Sequence, residues 1–117
     1  MAPRGAETQE ATVKTIHYHI LVALAGGPIH GAEIRRQVDE QSGGTVTLYP
    51  AMLYGSLDDL TEQNWIEEVP TEEGKNQPRW RFYRLTPAGY TAVEEETARL
   101  EALTARAKAN LGTAAGR

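Results

Sequence analysis

The chain has 117 residues, 40% of them apolar, which suits one domain with a single core and leaves no room for a large catalytic architecture. It contains no cysteine, which excludes a disulfide scaffold or a thiolate metal site and suits a reducing cytoplasm. The formal net charge of −4 argues against a general nucleic-acid coat, but the charge is uneven: between Asp58 and Glu73 every charged residue is acidic, and between Lys75 and Arg84 every one is basic, so a locally positive patch on an acidic body is expected.

Residues 1–11 are polar and small and read as a poorly ordered arm without the apolar stretch of a secretory signal. From Thr12 to Ala25, Val13, Ile16, Ile20, Leu21 and Leu24 recur at helical spacing, and Gly26-Gly27-Pro28 ends that helix. The longest apolar run, Ile20 to Ala25, is far too short to cross a bilayer, so no membrane role is expected. A second helix starts near His30-Gly31, turns Ile34 and Val38 inward and Arg35 and Arg36 outward, and stops before Ser42-Gly43-Gly44.

Thr45 to Leu48 is β-prone and short, and is expected to pair with a later strand. A third helix begins at Pro50, whose missing N–H costs nothing in a first turn, and Leu53, Leu57 and Leu60 form its apolar stripe. Its opposite face carries Ala51 and Gly55, small enough for the helix backbone to approach another surface, flanked by Met52 and Tyr54. Asn64 tolerates a left-handed conformation and closes this helix.

Trp65 to Val69 and Arg79 to Leu85 are rich in aromatic and β-branched residues, and Glu72-Glu73-Gly74-Lys75 supplies a turn, so they read as a β-hairpin. Tyr83 and Leu85 share one face of it, and Trp80, Phe82 and Arg84 the other. Thr86-Pro87 pairs an N-cap with a first helical proline, and the last helix runs to about Leu111. Its thin stripe of Tyr90, Val93, Leu100, Leu103 and Leu111, broken by Glu96 and Thr104, predicts pairing with a second copy of the chain. Glu94-Glu95-Glu96 reads as a solvated face, and residues 112–117 as a mobile tail.

The fold class is therefore mostly α with a small β-wing: a winged helix-turn-helix over residues 12–85, followed by one long C-terminal dimerisation helix over 86–111. Four segments in this order, ILVALAGGPIHGAEI (Ile20 to Ile34), LYPAMLYGSLDDL (Leu48 to Leu60), WIEE (Trp65 to Glu68) and RFYRLTPAG (Arg81 to Gly89), resemble the PadR-type transcriptional regulators. The single final helix resembles the short subgroup of that family, in which it completes the dimer. The chain departs from the family pattern at Gly31-Ala32, at Ala51-Met52, at Asn64 and at Asp58-Asp59, the second of which is commonly basic in relatives.

The resemblance implies a sequence-specific DNA-binding regulator, a homodimeric repressor released by a small effector, with no cofactor expected; the scarcity of cations predicts a pseudo-palindromic operator engaged at two half-sites, and the lack of cysteine and of a secretory signal suits the cytoplasm. In a winged domain's docking pose, Ala51, Met52, Tyr54, Gly55 and Ser56 approach the major groove, Lys75, Asn76, Gln77 and Arg79 form the wing contact, and Arg35, Arg36 or Lys14 lie near the backbone. Tyr54 reads equally as a phosphate contact or as a packed tyrosine with its hydroxyl at the rim. Trp65, Trp80 and Phe82 read either as hairpin core or, with the last helix, as a pocket for a small aromatic effector.

Enzyme chemistry finds no footing. His17 and His19 point to different faces of one helix, His30 starts the next, and Ser42 and Ser56 lack a His and carboxylate at useful spacing. The alternative function is a winged-helix protein-interaction module without strong DNA binding, suggested by Asp58-Asp59 and the acidic composition.

Overall fold

The computed structural model describes residues 13–72, 75, 77 and 80–115. In chain order these form α1 (Thr15–Leu24), β1 (Ile29–His30), α2 (Gly31–Gln41), α3 (Pro50–Glu62), β2 (Ile66–Val69), β3 (Phe82–Leu85) and α4 (Pro87–Ala115). The expected N-terminal arm, residues 1–11, lies outside the described residues.

Ile20, Leu21 and Leu24 of α1, Ile34 and Val38 of α2, and Leu53, Leu57 and Leu60 of α3 all turn into one core, closed by Ile66, Tyr83 and Leu85 of the hairpin. The three short helices thus bury the stripes that their spacing predicted. Their ends are set by local chemistry. Gly43 (φ 64°) follows α2, and its N–H and that of Gly44 bond back to the Glu40 and Asp39 carbonyls. Asn64 (φ 63°) does the same after α3, with Asn64 N–H donating to Thr61 O and Trp65 N–H to Leu60 O, a Schellman closure built on asparagine instead of glycine.

The sheet departs from expectation. Its order is β1-β3-β2, all antiparallel, with Ile29 opposite Tyr83 and His30 opposite Phe82. The third strand is therefore Ile29–His30, and Thr45–Leu48 is not a strand. The turn after α1, with Gly27 at φ 130°, delivers Ile29–His30 to the open edge of β3, where the His30 ring meets Trp80 and Phe82 edge-on, with centroids 4.7 and 5.3 Å away. The 45–48 segment is instead held by side chains: Ser42 Oγ accepts the Val46 N–H (3.1 Å), and Arg35 Nε donates to the Leu48 carbonyl (2.7 Å).

α4 starts as predicted, with Thr86 Oγ1 accepting the Gly89 N–H and donating to Asn64 O. It continues through Gly112 to Ala115, beyond the expected end at Leu111, in an alanine-rich stretch of high helix propensity. At 3.6 residues per turn, Gly89, Ala92, Val93, Glu96, Leu100, Leu103 and Leu111 fall along one side of α4. The first part of that side covers the body: Gly89, Ala92 and Glu96 are buried and Val93 packs on the core. The second part runs past the body, and every described side chain from Glu101 to Thr113 is exposed.

Candidate nucleic-acid interface

The outer face of α3 is where the expected groove-reading residues meet. Ala51, Met52 and Gly55 are exposed, and nothing lies within 4 Å of the place a Cβ on Gly55 would occupy. Pro50 opens the helix, and the N–H groups of its first turn that lack a partner within the helix point along the axis toward its N-terminal end, beside these residues.

Two expected members of this face are not on it. Ser56 is buried, because three residues after Leu53 it falls on the inner side of the helix beside Leu57 and Leu60, which corrects its assignment to the DNA surface. Tyr54 is half-buried and packs against the core, the second of the two readings its sequence position allowed. One residue was missed: Tyr49, the N-cap of α3, is 65% exposed immediately before the helix. An aromatic residue just ahead of a helical proline is the available signal, lying one position outside the helical periodicity that begins at Pro50.

The basic run and the acidic run face each other across the hairpin. Register sets Glu67 opposite Arg84, and their side chains pair at 2.7 Å, while Arg81 lies 3.9 Å from Glu68 and Lys75 lies 3.2 Å from Glu72. Among the described residues each cation of the expected positive patch thus faces a carboxylate, Arg81 and Arg84 through neighbours distant in sequence and Lys75 through a local one. Of the expected wing contacts, Lys75 and Gln77 are exposed, and Asn76 and Arg79 lie outside the described residues.

On α2 the two arginines differ. Arg36 forms a bidentate contact with Glu33 and reaches Glu40 at 3.3 Å. Hydrogen bonds from Arg36 and then Gln37 hold the Glu33 carboxyl down at about 2, and the Glu33 contact raises the Arg36 guanidinium above its ordinary range. Arg35 has no carboxylate partner among the described residues and gives its Nε–H to Leu48 O. Beside it, Ala32, Arg36, Asp39, Thr47 and Leu48 complete a cleft of about 290 Å³.

Asp58, Asp59 and Glu62 are exposed farther along the outer face of α3, Asp58 lying roughly 10 Å beyond Ala51 at 1.5 Å per residue. Asp59 lies 3.9 Å from Nε2 of His17, which is buried on α1. Burial lowers the His17 pKa from its ordinary 6.5, Lys14 lowers it further, and Asp59 opposes both. Among the described residues, no three histidine, aspartate or glutamate side chains gather where they could hold a metal ion.

The three aromatics proposed for an effector do not form one site within the chain. Trp65 sits at the α3 end of the hairpin, where its carbonyl accepts the Thr86 N–H, and Trp80 and Phe82 sit against His30 at the other end, Phe82 roughly 13 Å away along a strand. A different hollow, of about 440 Å³, lies where Tyr18 of α1 meets Thr97, Leu100, Glu101, Thr104, Ala105 and Lys108 of α4, with the Tyr18 hydroxyl 2.7 Å from Thr97 Oγ1.

The expected dimer contacts divide as well. Tyr90, Leu103 and Leu111 are exposed, at 47, 57 and 68%, whereas Val93 packs on the core of its own chain and Leu100 is half-buried beside Tyr18. Tyr90 lies about 100° round the helix from Gly89, off the stripe that carries Leu103 and Leu111. Glu96 is not on a solvated face: it is 6% exposed and accepts two hydrogen bonds from Arg99, which hold its carboxyl below the usual carboxylate range.

Comparison with known proteins agrees with this architecture. A 37.1 kDa protein in a transposon of Streptomyces fradiae is 34% identical over 87 residues, which are 74% of this chain and 23% of that protein, so the chain spans about a quarter of its relative. A PadR family transcription regulator of Clostridium difficile superposes with a TM-score of 0.70 at 22% identity, over 84% of this chain and 99% of that one. Bacillus subtilis PadR, in a structure with operator DNA, superposes with a TM-score of 0.60 at 24% identity, over 70% of this chain and 46% of that one. Among the described residues no helix is long and apolar enough to cross a membrane. Residues 20–95, more than half of the chain, match the transcriptional regulator PadR-like family, and the protein belongs to that family of winged-helix regulators, which are not enzymes.

Proposed function

We infer that the protein is a cytoplasmic, homodimeric repressor that occupies promoter DNA by inserting the N-terminal half of α3 into the major groove. The observation that carries this reading is the outer face of that helix, where Ala51 and Gly55 leave the backbone open and Met52 and Tyr49 stand exposed beside it. Met52 meets a thymine methyl in this pose, and the Tyr49 hydroxyl a phosphate. The operator complex of the B. subtilis protein, which shares the fold, supports the same choice of ligand.

Few cations are available, because Arg36, Arg81, Arg84 and Lys75 each face a carboxylate. One reading head therefore neutralises few phosphates, and useful affinity requires two heads on an inverted repeat, with half-site centres roughly one helical turn or a multiple apart. The uncovered Leu103 and Leu111 on α4 are the surface for that pairing. Release by a small effector belongs to the same reading, and the hollow between Tyr18 and α4 is better placed for it than the separated aromatics, since a ligand there bears on both α1 and the dimerisation helix.

Selection from random-sequence duplex DNA at moderate salt tests the reading. Enrichment of an inverted repeat is the expected result, and a folded dimer that enriches nothing would overturn it. The cancelled charge of the wing and the exposed Asp58, Asp59 and Glu62 favour the second reading, a winged-helix module that binds protein. Such a module would show neither the steep salt dependence nor the sequence preference of an operator-binding protein.

A further inference from the structure

We propose that Arg35 is the positioning residue of the recognition helix: its Nε–H anchors the Leu48 carbonyl at the entry to α3, while its outer guanidinium nitrogens serve a DNA phosphate. The proposal rests on the DNA-binding reading and deepens it.

The need for such an anchor follows from the sheet. Because Ile29–His30 takes the edge of β3, residues 45–48 have no strand partner among the described residues, and the entry of α3 is not set by a sheet ladder there. Tyr49 does not set it either, since its side chain makes no cap to the first turn. Leu48, the residue just before this N-cap, is fixed in two ways: its side chain is buried in the core, and its carbonyl is held from α2 by Arg35 at 2.7 Å. At the other end of the connector, Ser42 Oγ takes the Val46 N–H. α2 and α3 are thereby joined as one body through side-chain bonds to backbone.

Whereas an ammonium carries its three donors on one freely rotating atom, a guanidinium holds two partners in fixed, separate directions. Its Nε–H and its terminal N–H groups point in different directions from one rigid plane, so one residue can hold a carbonyl and a phosphate together. Arg36, one residue on, is engaged by Glu33 and Glu40, whereas the outer nitrogens of Arg35 have no partner among the described residues and border the open cleft with Thr47. Phosphate engagement at Arg35 and the placement of Tyr49, Ala51 and Met52 in the groove are then coupled through one side chain. Positioning by Arg35 is therefore a matter of sequence discrimination as well as of charge.

The test compares wild type, Arg35→Lys and Arg35→Gln as full chains, after a thermal melt shows each to be folded. Affinity is measured for the selected operator and for random duplex across a salt series, and amide hydrogen exchange is followed over residues 45–53 without DNA. Arg35→Lys is expected to keep the wild-type salt slope, to lose about tenfold in operator affinity relative to random duplex, and to exchange faster over 45–53 alone. Arg35→Gln should show the same faster exchange and a salt slope smaller by about one. Arg35→Lys that exchanges and discriminates like wild type, or that weakens operator and random duplex equally, overturns the positioning role and leaves the DNA reading standing. Wild type that selects no sequence removes the DNA reading and this proposal together.

Discussion

Replacing Gly89 by alanine tests how α4 docks on the hairpin. Gly89 lies in the first turn of α4, and a Cβ built there would stand 2.0 Å from the Trp65 carbonyl oxygen and 3.0 Å from its carbon, with Leu85 Cδ2 at 3.3 Å. The obstacle is backbone, and it cannot rotate away as a side-chain tip can. The same carbonyl accepts the Thr86 N–H at 3.0 Å, and Thr86 Oγ1 in turn caps Gly89, so any shift that relieves the clash disturbs both bonds. Overpacking of this kind costs about 1–3 kcal/mol and a weakened hydrogen bond about 1 more, against about 1 kcal/mol that alanine gains over glycine in a helix. The net expectation is a loss of about 2 kcal/mol. For a domain of this size that is a fall in Tm on the order of 10 °C, followed by circular dichroism at one fixed protein concentration because any self-association would make Tm concentration-dependent. A Gly89→Ala protein as stable as wild type would refute the argument that helix entry is set by close backbone approach at this residue.

Gly55→Ala should do the reverse: with open space around the new methyl it raises stability by several tenths of a kcal/mol, yet weakens operator binding because the methyl stands between helix and groove, which paired melts and titrations would reveal. Stability should fall as pH drops below about 6.5, because burial keeps the folded-state pKa of His17 under that ordinary value and the unfolded chain takes up the proton first. In melts between pH 5 and 8, Asp59→Asn should steepen that fall by removing the one contribution that raises the His17 pKa, and His17→Gln should flatten it. Leu103→Glu should yield a folded monomer in analytical ultracentrifugation, with operator affinity reduced at least tenfold as the second reading head is lost; a Leu103→Glu dimer of wild-type affinity would rule out the uncovered stripe of α4 as the pairing surface.

Much of the fold that carries the candidate interface was legible because it depends on short-range rules. The left-handed Asn64, the Thr86 cap and the apolar stripes of α1, α2 and α3 each follow from residues within four or five positions of one another, and the structure has them where the spacing places them. The small-residue face of α3 is the complement of its leucine stripe and came with it. Ser56 is the exception among these small residues, because the helical angle sets it beside Leu53 and Leu57 on the inner side. Glu96 is a second exception: its neighbours Glu94 and Glu95 are exposed, but one further step of about 100° turns Glu96 inward, where Arg99 pairs with it.

What the amino-acid order alone determined are the helices, their caps and the hairpin, since periodicity, proline, glycine and capping hydroxyls act through local backbone geometry. What only the tertiary structure decided are the features made by partners far apart in the chain. Ile29–His30 instead of Thr45–Leu48 completes the sheet, because the turn after α1 brings it to the edge of β3. Arg84 of the basic run faces a carboxylate because antiparallel register sets Glu67 against it. Among the described residues Arg35 rather than Arg36 keeps its outer nitrogens unpaired, because Leu48 passes beside it while Glu33 and Glu40 lie one turn either side of Arg36. Composition counts charges, but only packing determines which of them meet, and on this protein that decides how much positive charge remains for DNA.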